Sequence, residues 1–240
     1  MVRIGTGIRD IDDFIAARGD IPPEATDVRD VEPDARALTV SRMTRNLERL
    51  AELPALRRLA ARAPRDETLR LIGGAVGVED LALFGGTMAD LVPLSRLQKL
   101  RYLTISAASR LWSLDGIEGL TTLEYFSAWH CAALTSVAPL AGLRGLRYVF
   151  LDGNMYKPMR LDSLAAFAGL GDLEVLTLHN IRVRDRDLRP LHGLHKLRRL
   201  DLPDHFPVAQ FAALAAALPA ANGRWRSRFR SRSAPKNSDS

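Results

Sequence analysis

Three stretches of the chain read almost alike: Leu97-Gln-Lys-Leu100-Arg-Tyr-Leu103-Thr-Ile105, Leu120-Thr-Thr-Leu123-Glu-Tyr-Phe126-Ser-Ala128 and Leu143-Arg-Gly-Leu146-Arg-Tyr-Val149-Phe-Leu151. The third apolar anchor moves from 103 to 126 to 149, a period of 23 each time. A fixed period in the twenties means one supersecondary unit repeated, each too small to bury its apolar face alone and stable only when stacked on neighbours. Alternating apolar and polar residues at the end of each phrase mark a strand with one face turned to the core.

The series extends outward as anchors 81, 103, 126, 149, 176 and 200, with one long step at 153–160, where Met155-Tyr-Lys-Pro158 looks like an inserted loop. Leu69 and Leu71 also have strand character, but their distance of 12 from Leu81 and Leu83 is too short for a repeat, and Gly73-Gly74 marks a reversal of the chain. A second phrase precedes several strands: Leu91-Val-Pro-Leu94-Ser-Arg-Leu97, Val137-Ala-Pro-Leu140-Ala-Gly-Leu143 and Leu188-Arg-Pro-Leu191-His-Gly-Leu194. Leucines every third residue after a proline suit short 3-10 turns, in which side chains eclipse at that spacing.

The run from Val137 to Asn154 resembles the bacterial, internalin-type class of leucine-rich repeat, over about residues 78–205. The resemblance implies an α/β solenoid: a curved leucine-rich repeat with a parallel concave β-sheet, short 3-10 or helical convex segments, and helical N- and C-terminal caps. The chain departs from the family in its asparagine ladder, where the position five after each anchor reads Gly86, Ala108, Cys131, Asn154, Ile181 and His205. Loop carbonyls that asparagine would satisfy must then find other donors.

Four segments follow from this reading. Residues 1–62 form a helical N-terminal cap, with Ile8, Ile11, Phe14 and Ile15 at helical spacing, Ala37 to Val40 as a candidate first strand, and Leu47, Leu50, Leu53, Leu56 and Leu59 every third residue, the latter fitting a helix face or the convex side of an early repeat. Residues 63–205 are the solenoid, 206–221 a capping helix, and 222–240 a basic, disordered tail.

Composition limits the rest. Hydrophobic residues make up 47% and charged residues 26% of 240, as in a soluble globular protein. No stretch reaches the roughly 20 apolar residues a membrane span needs, and Asp10, Asp12 and Asp13 leave no apolar signal core, so the chain is read as cytoplasmic. The single cysteine, Cys131, excludes an internal disulfide framework and a cysteine-based zinc cluster. Arginine outnumbers lysine 30 to 4 with abundant alanine, which suggests a GC-rich bacterial genome. The net charge of +6 is uneven: residues 1–34 hold seven Asp and two Glu against four Arg, whereas 223–240 hold five Arg and one Lys against one Asp.

In a strand the apolar anchors point inward and the alternate residues line the concave face. They form three columns: Asp80, Tyr102, Tyr125, Tyr148, Val175, Arg199; then Ala82, Thr104, Ser127, Phe150, Thr177, Asp201; then Phe84, Ser106, Trp129, Asp152, His179, Pro203. Tyr102, Tyr125 and Tyr148 make a continuous row flanked by Phe84, Trp129 and Phe150, with Asp152, His179, Arg199 and Asp201 as a polar edge. Exposed aromatics with a polar rim suit a protein interface. The same rings also suit a sheet-stiffening ladder or a surface covered by the N-terminal segment. His192 and His195 fall on the convex side away from Asp201, so no metal site or cofactor is expected, and adjacent His130 and Cys131 point to opposite faces, which is poor geometry for a nucleophile pair.

The sequence thus leads to a non-catalytic module that binds another protein through an aromatic concave face. An immunity or antitoxin-like inhibitor is a variant of that reading. A separate one is attachment to nucleic acid through Arg224, Trp225, Arg226, Arg228, Phe229, Arg230 and Arg232, which interleave charge with stacking rings.

Overall fold

The computed structural model describes residues 21–154, 156–223 and 225. Eight strands stack side by side in one parallel sheet: β1 (Ala37–Ser41), β2 (Arg58–Arg62), β3 (Asp80–Phe84), β4 (Tyr102–Ser106), β5 (Tyr125–Trp129), β6 (Tyr148–Asp152), β8 (Val175–His179) and β10 (Arg199–Asp201), in that spatial order. Every neighbour pair is in the register that the repeat demands: Leu81, Leu103, Phe126, Val149, Leu176 and Leu200 lie opposite one another in succession. These anchors are fully buried, as are Leu94, Leu97 and Leu100 and their counterparts Leu140, Leu143 and Leu146 on the return path. Each such side chain is worth about 1.5–3 kcal/mol when taken out of water. The gain exists only because the neighbouring repeat supplies the other wall.

The return segments are short 3-10 turns, Val92–Arg96, Ala138–Gly142 and Arg189–Leu191, each with its proline in the first turn, where the missing N–H costs nothing. Gly116 sits where a turn passes beneath its neighbour; its φ is +106°, and a Cβ there would lie 2.3 Å from the Val92 backbone. One convex segment is a true helix, α1 (Asp66–Ile72). The strand-like Leu69 and Leu71 therefore belong to a convex helix, and Leu81 and Leu83 to the strand. Gly73 ends that helix.

The chain leaves β2, β3, β4, β5 and β8 by a left-handed residue. Ala63, Gly85, Ala107, His130 and Asn180 have φ between 49° and 71°. The N–H groups of the first four donate to the last carbonyl of the next strand, on Phe84, Ser106, Trp129 and Asp152, at 2.7–2.8 Å. This extra rung answers the missing asparagine ladder: the carbonyls find backbone donors. Cys131 adds its thiol to the Trp129 carbonyl at 3.4 Å. The long step after β6 is more than a loop, since it contains β7 (Met159–Leu161), which pairs with β9 (Ile181–Val183) in a small second parallel sheet.

Two boundaries read from the sequence are corrected. Residues 37–62 are not a helical cap. They hold β1, β2 and the 3-10 turn Leu47–Glu52, so two further repeats precede β3. The leucines at three-residue spacing follow the 3-10 period, and their burial against α1 and the sheet settles between two patterns that coincide over so short a run. Ahead of β1, buried Asp27 accepts hydrogen bonds from the Arg29 side chain and N–H and from Asn46, which hold its carboxyl well below the usual carboxylate range. The helix expected over Ile8–Ala17 lies outside the described residues.

The second correction concerns the C-terminal end. Helix α2 (Val208–Ala217) buries Phe211 and Leu214, and the chain then returns to the sheet edge, with Asn222 bridging to Arg199 of β10. Trp225 is buried and stacks on Phe211 at 6.4 Å, while Phe211 meets Phe206 edge-on. The basic tail therefore cannot begin at 222, and Trp225 is a core residue rather than a platform for a base. Arg224, Arg226, Arg228, Phe229, Arg230 and Arg232 lie outside the described residues.

His205 ties this end to the second sheet: its Nε2 accepts from the Val183 N–H at 3.0 Å and its ring stacks on Phe206. Burial, reinforced by Arg182 and Arg186, lowers its pKa from 6.5. A lowered folded-state pKa means that the contribution is complete above 6.5 and is lost as pH falls through the folded value. Urea denaturation should therefore show stability dropping as pH is taken below 6.5. His205→Ala should flatten that slope and cost about 1 kcal/mol at neutral pH.

Candidate functional site: the concave face and its rim

The register sets the three concave columns side by side, with Tyr102, Tyr125 and Tyr148 directly opposite one another on β4, β5 and β6. The rings form a row, but not an open one. Tyr125 is 1% exposed and Tyr148 7%, while Tyr102 is half-buried. Among the described residues, Tyr102 and Val175 pack on the pair, and the guanidinium groups of Arg101 and Arg147 lie over Tyr102 and Tyr148, each 5.3 Å from the ring centre. Burial raises the pKa of both Tyr102 and Tyr148. The expectation that Tyr125 and Tyr148 stand open to a partner is therefore corrected: a periodic pattern gives the face a side chain points to, not what lies over it.

Those arginines belong to a column that the sequence reading passed over. From β2 to β10 the residues just before the strands run Arg57, Glu79, Arg101, Glu124, Arg147, Glu174, Arg198, alternating in sign; only Arg36, before β1, repeats the sign of its neighbour. Arg101 meets Glu124 at 2.8 Å, Arg147 Nε meets Glu174 at 2.8 Å, and Arg57 lies 3.4 Å from Glu79. Each backbone carbonyl in the column from Arg57 to Glu174 accepts two N–H groups of the next repeat, as Glu79 does from Arg101 and Tyr102. The signal was available as charge alternation at the strand period, one place upstream of the columns inspected.

The carboxyl-end rim of the sheet is different. Trp129 and Phe150 are half-exposed with ring centres 5.9 Å apart, and Phe150 meets His179 edge-on at 5.8 Å. Asp152 stands between Trp129 and His179 and accepts from Asn180 Nδ2 at 3.0 Å. Phe84 is half-exposed farther along, separated from Trp129 by Ser106. Beyond β6, Asn154 and Lys157 exchange both backbone hydrogen bonds, and the Asn154 side chain takes the Tyr156 N–H at 2.8 Å. This turn holds Tyr156 92% exposed. Beside it lies a depression of about 590 Å³ lined by Asn154, Pro158, His179, Arg182, Asp204 and His205 among others. Asp201 at its wall is buried and paired with Arg199 at 2.9 Å, so the polar edge expected there is partly an internal ion pair.

Cys131 is buried, which pushes its thiol up to about 11, whereas His130 is exposed on the adjacent left-handed residue. Among the described residues no three His, Cys, Asp or Glu side chains come together as metal ligands, and no helix is long and apolar enough to cross a membrane.

No protein-family model and no curated protein matches the sequence. Solved structures do. Internalin C2 from Listeria monocytogenes superposes with a TM-score of 0.55 at 26% identity, over 74% of this chain and 72% of that one. The chain is a leucine-rich repeat solenoid. Internalin F from the same organism gives 0.51 at 20% identity over 77% of this chain and 58% of that one. The plant peptide hormone receptor RGFR1, solved with RGF2, gives 0.50 at 12% identity, over 84% of this chain and 36% of that one. The internalin-type resemblance of the Val137–Asn154 phrase is thus matched in fold over about three quarters of the chain, 74% in the superposition on internalin C2.

Two measurements check the local physics. Cys131 should fail to react with a thiol reagent at pH 8 in the native protein and react at once in denaturant, because both burial and the raised pKa suppress the thiolate. A double-mutant cycle on Arg101→Ala and Glu124→Ala should give a coupling of about 0.3–1 kcal/mol, shrinking as salt is added, as for other partly exposed ion pairs.

Proposed function

We propose that this leucine-rich repeat protein is a non-catalytic interaction module that engages another protein through the carboxyl-end rim of its concave face. Trp129, Phe150 and His179 supply the apolar anchor, and Asp152 and Phe84 flank it. The observation that carries the reading is the contrast along one sheet: the tyrosine row is closed, while the Trp129, Phe150 and His179 cluster stays half-open beside the exposed ring of Tyr156. Rigid aromatic side chains lose little conformational entropy on binding and dominate the energetics of protein interfaces. Solved relatives of this fold, such as the receptor held with RGF2, give the reading its class of partner. A scaffold role in the cytoplasm belongs to the same proposal.

The test uses the tagged full chain, from which a retained host protein is identified and its affinity measured. Trp129→Ala with Phe150→Ala should weaken binding by about 2 kcal/mol or more, roughly 30-fold in Kd. Tyr156→Ala removes a ring that packs on little, so it should weaken binding without altering the fold. Lys99→Ala, at the opposite edge of the sheet, should change nothing. Equal affinity for all variants, or a loss only with Lys99→Ala, rules the rim out.

A further inference from the structure

Trp129, Asp152 and His179 close β5, β6 and β8 in direct register, and Phe150 stands two residues before Asp152 on the same face of β6. Trp129 and His179 are thus two strand spacings apart, about 9.6 Å at the backbone, with Phe150 in ring contact with both. All four side chains are partly exposed. The one hydrogen-bonding atom of the indole, Nε1, is buried, so Trp129 shows solvent only the carbon framework of its ring. Trp129 and Phe150 therefore offer π surface and no donor.

The polar member of the group is a carboxylate. Its Oδ1 accepts from Nδ2 of Asn180 at 3.0 Å, reached from the left-handed position directly after β8. Among the described residues Asp152 forms no salt bridge. Other acids of this end are neutralised: Asp201, two strands along, meets Arg199 at 2.9 Å, and Asp162 meets Arg184 at 3.2 Å. The negative faces of two rings and an unpaired carboxylate make a slot of one sign, which attracts a cation.

The hydrogen bonding selects the cation. A guanidinium takes a carboxylate through two parallel N–H bonds, one to each oxygen, and here Oδ1 already holds Asn180. An ammonium is a point charge that needs only Oδ2, and its four-carbon stem packs along apolar surface. We propose that the rim receives a lysine side chain of the partner protein, its ammonium on Oδ2 of Asp152 and its methylenes against Trp129 and Phe150. His179 closes the far side of the slot. The inference rests on the reading of this rim as the contact surface and adds the chemistry of the group that enters it.

The full chain with labelled indole nitrogens tests this without a partner, using n-butylammonium chloride as the lysine analogue. The Trp129 indole signal, assigned through Trp129→Phe, should shift saturably, while Trp112, exposed elsewhere, should stay still. The neutral analogue 1-pentanol and the guanidinium analogue n-propylguanidinium should each bind more weakly than the ammonium. Asp152→Asn keeps the acceptor for Asn180 and removes the charge, so it should weaken the ammonium roughly five-fold or more. No saturable shift at Trp129, an equal shift at Trp112, equal or tighter binding of either analogue, or an unchanged affinity in Asp152→Asn overturns the proposal. The host-protein experiment separates the two readings. A partner indifferent to Trp129→Ala with Phe150→Ala removes the rim, whereas a partner weakened by that pair and indifferent to Asp152→Asn keeps the rim and removes the lysine.

Discussion

Everything in this molecule depends on one constraint, that each repeat stacks on the next in strict register through its backbone. The carbonyls just before β1 to β8 of the main sheet each accept two N–H groups of the following repeat, and the left-handed residues after β2, β3, β4 and β5 add a further bond at the other end. Between these two fixed points five residues run as a strand, and the anchor leucines have one place to go. Parallel pairing of this kind brings identical positions together, so any property written once per repeat becomes a continuous line across the sheet. The leucine ladder, the tyrosine row and the alternating charges are three such lines.

The charged line shows how stacking turns a liability into a support. Identical charges at one position in every repeat would stand about 4.8 Å apart and repel. Alternation of arginine and glutamate from Arg57 to Arg198 replaces repulsion with pairing. It also penalises a slip by one repeat, which would bring like charges together. The arginines do a second job by lying over Tyr102 and Tyr148, so the edge that keeps register also shields the row.

Irregularity is concentrated where the surface is most distinctive. The step after β6 is longer than the others, and it builds β7, the turn with Tyr156 and one wall of the depression beside His179. A solenoid tolerates an insertion there because a loop can leave the stack and return without disturbing the register of β6 and β8. Gly153 makes the departure possible, since a Cβ would strike the Asn180 carbonyl. At the C-terminal end the edge strand is not left bare: Asn222 pairs with it, and Phe211 and Trp225 seal the last apolar layer.

The sequence by itself determined the repeat, the register and the identity of every concave column from Asp80 to Asp201, because period and alternation are local properties that the parallel sheet copies directly into space. It did not separate a helix from the path actually taken over 47–59, a 3-10 turn at Leu47–Glu52 followed by the entry to β2, since both place leucines every third residue over so short a run, and it placed Trp225 in a solvated tail because arginines surround it. The openness of the tyrosine row was settled only by the tertiary structure. Exposure depends on what packs around a side chain as well as on the face it points to, and the guanidinium groups of Arg101 and Arg147 over the rings are not encoded by the alternation within the strands. The same holds for the rim, where Trp129, Phe150 and His179 come from three repeats and meet only because β5, β6 and β8 are neighbours.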